Sequence, residues 1–89
     1  MINFSIKKVS DNCPHYNLTL TKLVHKRSGE IIEEPGDTLY SIHLDDVKKI
    51  ISNIETSNRF GNKDITLKEY LLEFYKVYNE VCELLKKTL

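Results

Sequence analysis

The sequence predicts an α+β fold in which a small antiparallel sheet of about three strands precedes two α-helices packed on one face. Three observations lead there. The first half of the chain alternates apolar and polar residues with period two. The second half repeats its apolar residues at helical spacing. Turn-forming clusters punctuate the sequence where one pattern gives way to the next. With 89 residues and 10.4 kDa the chain is expected to be one domain. Its sheet region should cover residues 1–43, with helices over 44–58 and 66–88. A chain of this size buries only a modest core.

In MINFSIKKV, Ile2, Phe4 and Ile6 alternate with Asn3, Ser5 and Lys7, which is the pattern of a strand with one buried face. The turn chemistry of DNCPH follows. Alternation then resumes as Tyr16, Leu18 and Leu20 against Asn17, Thr19 and Thr21, a second strand running to about His25. KRSGE places Ser28 and Gly29 at a hairpin tip. The return strand starts at Ile31, is expected to break at EEPGD and resumes at Leu39. Pro35 has no N–H to donate to a ladder, so this strand belongs at an edge or carries a bulge.

Beyond Ile42 the residues Leu44, Val47, Ile50, Ile51 and Ile54 share an arc of roughly 120°, with Asp45 and Asp46 in the first turn complementing the helix dipole. Gly61 and Asn62 suit the left-handed geometry that ends a helix. The next helix opens on a capping box, Thr66 with Glu69, flanked by the staple spacing of Ile65 and Tyr70. From Leu67 to Leu89 its apolar residues occupy about half the circumference, and within them positions 67, 71, 74, 78, 81 and 85 alternate by four and three. That arc is wider than one neighbouring element covers. It makes Tyr70, Phe74, Tyr75, Tyr78 and Cys82 the candidate protein interface and predicts a homodimer through the last helix.

Composition narrows the function classes. Thirteen basic and thirteen acidic residues cancel, which disfavours binding to nucleic acid or lipid by bulk charge. The apolar runs are far shorter than the roughly 20 residues needed to cross a bilayer, and the N-terminal stretch alternates where a signal peptide would be uniformly apolar. A cytoplasmic protein with no membrane partner is expected. Cys13 and Cys82 are two cysteines only, too few for a disulfide framework, and are expected to be reduced. Cys13 and His15 are the nearest approach to a ligand pair, but no second pair accompanies them, so no metal and no cofactor are predicted. Cys13 as a nucleophile would need a base supplied by folding.

The adjacent carboxylates Glu33–Glu34 and Asp45–Asp46 diverge on a strand or helix and are read as surface and capping groups. Three glycines leave no phosphate-cradling loop. No enzyme is predicted.

Two further contact candidates remain. NRFGNK reads first as the connection between the helices, with Phe60 tucked back as its anchor; the functional alternative is a contact loop of Arg59, Phe60 and Lys63. Residues 1–29 hold five basic side chains against one acidic, and 30–46 hold six acidic ones. Paired strands would set these opposite each other. The functional alternative uses Lys22, Lys26 and Arg27 at the hairpin tip as a small nucleic-acid-binding site.

The succession YNLTLTKLVHKRSGE, an edge strand, DVKKIISNIETSNRF and ITLKEYLLEFYKVYNEV resembles small uncharacterised proteins of phages and prophages in low-GC Gram-positive bacteria, over residues 16–85. In those, a YNIIL-type strand, a K-x-G hairpin tip, a short helix and a TLKELL-type helix follow one another. The chain departs from that pattern at Pro35–Gly36 and at His43, where Ser or Thr would be expected to cap the helix. The resemblance carries no catalytic residues. It implies an accessory phage protein in a bacterial host cell that acts by binding, with inhibition of a host or defence component as its role.

Overall fold

A computed structural model describes residues 2–89. The element order is β1 (Phe4–Lys8), β2 (His15–His25), β3 (Ile31–His43), α1 (Leu44–Phe60) and α2 (Leu67–Thr88). This is the expected α+β arrangement of three antiparallel strands followed by two helices. The chain divides into two compact units, a sheet unit ending at Leu44 and a helical unit from Asp45 to Leu89.

In the sheet unit the strands lie in sequence order, β1-β2-β3, so β2 is central and β3 is an edge. β1 pairs with the first part of β2, from Phe4 opposite Leu20 to Lys8 opposite Tyr16. Leu18 lies opposite Ile6 on one side and Leu39 on the other and is fully buried. In β1 the sequence alternation is also the alternation of burial, Phe4 and Ile6 half-buried against exposed Ser5 and Lys7, whereas in the central strand β2 the residues from His15 to Thr21 are all at least half-covered and Leu18 alone is fully buried.

β3 departs from the expectation of an interrupted strand: it runs unbroken for 13 residues and absorbs its irregular residues in two bulges. Thr19 faces Thr38 and Thr21 faces Pro35, so three steps on β3 match two on β2. Pro35 thus stands at an edge and beside a bulge, both of the conditions its missing N–H requires. Gly36 sits there because a Cβ would come within 2.6 Å of the Leu20 carbonyl oxygen. The second bulge falls between Leu39 and Ile42, opposite Leu18 and Tyr16. There Ser41 adopts φ 56°, and its N–H donates to Asn17 Oδ1 at 3.0 Å. At the β2–β3 tip Gly29 takes φ 87°, as the hairpin reading requires.

In the helical unit, α1 extends two residues beyond its expected end and closes at Gly61, which has φ 60° and donates its N–H to the Ser57 carbonyl at 3.0 Å. Its buried side chains are Val47 and Ile51 together with Ser52, Glu55 and Thr56. The two hydroxyls are accommodated by donating backward, Ser52 to the Lys48 carbonyl and Thr56 to the Ser52 carbonyl, each at 2.6 Å. α2 contributes Val77, Val81 and Leu85 to the buried set.

The capping box of α2 is complete. Thr66 Oγ1 accepts from the Glu69 N–H at 3.2 Å, and Glu69 Oε1 accepts from the Thr66 N–H at 3.4 Å. Thr66→Ala is expected to lower unfolding stability by about 1 kcal/mol, read as a fall in the urea midpoint with an unchanged slope.

Candidate protein-binding surface

The faces of α2 follow from its 100° step. Val77, Val81 and Leu85 define the buried side. Tyr70, Phe74, Tyr78 and Cys82 are half-buried beside it, and Leu71 and Tyr75 stand on the outer shoulder. The result is a row in which exposed Leu71, Tyr75 and Leu89 alternate with half-buried Tyr78 and Cys82, at a spacing of four and three residues with the buried Leu85 between the last two. Its centre lies about 40° around the helix from the seam expected at 67, 71, 74, 78, 81 and 85, with which it shares positions 71, 78 and 85. The reason is that Val77 and Val81, and not the aromatic residues, turn furthest inward. Tyr75 is 62% exposed, and Leu72, outside the expected arc, is 65% exposed and widens the row.

The half-buried aromatics form a continuous run. Phe60, the last residue of α1, lies 6.3 Å from Tyr70 between ring centroids; Tyr70 stacks on Phe74 at 6.3 Å, and Phe74 on Tyr78 at 6.1 Å. Tyr75 meets the edge of Phe74 at 6.0 Å. The Tyr70 hydroxyl donates to Asn53 Oδ1 of α1. Phe60 therefore anchors the connection between the helices, as the plainer reading of NRFGNK has it.

Beside this run opens a groove of about 380 Å³ lined by Lys49, Asn53, Phe74, Tyr75 and Tyr78. Its aromatic walls are apolar, and Lys49 and Asn53 place one cation and one amide at the margin. Burial pushes the Tyr78 phenol up from its ordinary value, with the neighbouring Cys82 adding to the effect. The phenol thus stays neutral and able to donate a hydrogen bond at physiological pH. Lys49 and Asn53 were absent from the sequence-derived candidates. They lie off the apolar arc of α1, and only the crossing of the two helices brings them to the aromatic row.

Arg59 occupies a different place from the one a contact loop requires. It belongs to the last turn of α1, where Nε donates to Glu55 at 3.1 Å, and it reaches α2 through Nη1 to Glu73 at 2.9 Å and Nη2 to Glu80 at 2.8 Å. Three carboxylates thus converge on one guanidinium, whose planar fork suits such multiple bonding. The hydrogen bonds it donates to Glu73, then to Glu80 and Glu55, raise its already high pKa further. Glu55 is only 7% exposed, so Arg59 compensates a nearly buried charge. Lys63 lies exposed beyond the helix end.

At the other end of the chain, Lys26 and Arg27 lie exposed in the hairpin turn, and Lys22 sits opposite Glu34 across the β2–β3 ladder. Leu23 likewise faces Glu33. Lys22–Glu34 is the one pair of opposite charges set directly across this ladder, while Lys26 and Arg27 stand beyond it in the turn.

Among the described residues no group of three His, Cys, Asp or Glu side chains converges as metal ligands, and no helix is long and apolar enough to cross a membrane. No family model, curated protein or solved structure matches the chain.

Proposed function

We propose that this chain is a non-enzymatic interaction protein that pairs with a second copy of itself through α2 and acts by binding another protein. The observation that carries the reading is the row of exposed Leu71, Tyr75 and Leu89 with half-buried Tyr78 and Cys82, whose Tyr75 and Tyr78 also line the aromatic groove beside Lys49 and Asn53. Tyrosines half-covered at the margin of an apolar face suit an interface, since the ring buries area while the hydroxyl keeps a polar partner. A helix of 22 residues is about 33 Å long, enough to present several turns of such a row to a partner helix. The resemblance over residues 16–85 extends the reading to an accessory protein of a phage or mobile element in a bacterial cell, directed at a host or defence component.

Sedimentation equilibrium at micromolar concentration tests the self-association. The expected result is a dimer that Tyr75→Glu converts to a monomer with unchanged circular dichroism, because Tyr75 is exposed within one chain and its replacement disturbs no core. A wild-type chain that sediments as a monomer overturns the pairing.

A further inference from the structure

We propose that Cys13 and His15 form a thiol–imidazole pair that makes Cys13 the site at which this chain exchanges with small disulfides of the glutathione class. The two side chains meet in the sheet unit, with Cys13 Sγ 3.0 Å from His15 Nδ1. This lies within the reach that nucleophile and base need for proton transfer. One proton lies between the two atoms, and which of them donates follows the tautomer of the ring.

The sequence Cys13-Pro14-His15 builds this geometry locally. A residue preceding proline is held in the extended region, and the proline ring fixes its own φ. Pro14 is a bend between the turn at Asp11 and Asn12 and the start of β2, and Cys13 is tied back by its N–H to the Ser10 carbonyl at 3.2 Å, so the chain entering β2 is held where the thiol meets the ring. His15 is the first residue of β2, paired in register with His43 of β3, so its backbone is held by the ladder. Its ring meets that of His43 edge to face, with centroids 5.9 Å apart and planes at 82°. The base is therefore oriented by a third group. Cys13 and His15 are both half-buried, which holds their rotamers while leaving the sulfur reachable.

The reaction is balanced by the pair itself. His15 Nδ1 takes the Cys13 thiol proton, and the sulfur lone pair attacks the nearer sulfur of the small disulfide. The new S–S bond forms as the old one breaks, and the departing thiolate takes the proton back from the imidazolium. Cys13 is oxidised to a mixed disulfide, and the other half of the small disulfide leaves reduced. Cys82 provides an internal comparison: it lies on α2 beside the Tyr78 phenol, a far weaker base than imidazole.

The full chain, incubated with oxidised glutathione and followed by peptide mass spectrometry, tests this. In the native chain Cys13 is expected to form its mixed disulfide about tenfold or more faster than Cys82, and faster than Cys13 itself in the urea-unfolded chain. His15→Gln should bring the Cys13 rate down to that of the unfolded chain while leaving Cys82 unchanged. Equal native and unfolded rates at Cys13 overturn the proposal without reference to any variant. A folded His15→Gln chain that keeps the fast rate overturns it as well.

Discussion

Replacing Arg59 with alanine is expected to destabilise the helical unit by about 2 kcal/mol. Removing one partner of a fully buried ion pair costs roughly 3–5 kcal/mol, and exposed pairs are worth under about 1 kcal/mol. Arg59 lies between these limits. Its side chain and that of Glu73 are partly exposed and Glu80 is more so, whereas Glu55 is nearly buried. The loss has two sources, an uncompensated Glu55 and repulsion among carboxylates that the guanidinium had drawn together. Urea unfolding of a matched set separates them. Arg59→Ala combined with Glu55→Gln should recover about half of the loss, because no buried charge then remains. Arg59→Lys should recover less, since an ammonium is a single point charge and cannot span three carboxylates with a planar fork. A change below about 0.5 kcal/mol for Arg59→Ala would mean that the cluster is solvated and structurally idle.

The second large effect is expected at Gly36. Alanine there would set a Cβ 2.6 Å from the Leu20 carbonyl oxygen, closer than real Cβ atoms come to backbone. Neither group is a flexible side-chain end, so the bulge itself must open, and the neighbouring pairs Thr19–Thr38 and Thr21–Pro35 move with it. We expect Gly36→Ala to cost about 2–3 kcal/mol, within the range for backbone clashes in packed structure. Gly29→Ala supplies the contrast. Gly29 has φ 87° but nothing within 4 Å of its Cβ direction, so only conformational strain of about 1 kcal/mol applies. If the two substitutions prove equally mild in thermal unfolding, the close approach of β3 to Leu20 is absent in solution.

Local signals were the readable part of this fold. Gly29 at the hairpin tip, the Thr66–Glu69 box and the Gly61 helix end each depend on neighbours within four residues, and each lies where the pattern put it. β3 was less legible because proline and glycine within an alternating run look like a break; the register shift that accommodates them involves β2, some 15 residues distant. The buried side of α1 was obscured differently. Ser52, Glu55 and Thr56 are polar, and no hydrophobic pattern marks a face whose hydroxyls bond backward and whose carboxylate is paired. The sequence places Arg59 in the connection because its pattern ends the helix near residue 58. Two more residues of helix place it four beyond Glu55, a spacing the sequence does contain. Its bonds to Glu73 and Glu80 depend on the crossing of two helices, which no local pattern encodes. The candidate surface was legible in kind, as an apolar excess on α2, while its position around the helix was set by which side chains turned inward.

The unequal lengths of the strands carry a kinetic meaning. β1 ladders only with Tyr16–Leu20 of β2, so from Lys22 to His25 the central strand is flanked by β3 alone. A two-stranded ribbon is marginal in water by itself. Fluctuations of the sheet should therefore begin at the Gly29 turn and travel inward like a zipper until they meet the third strand near Leu20, where the amide protons become slow to trade with solvent.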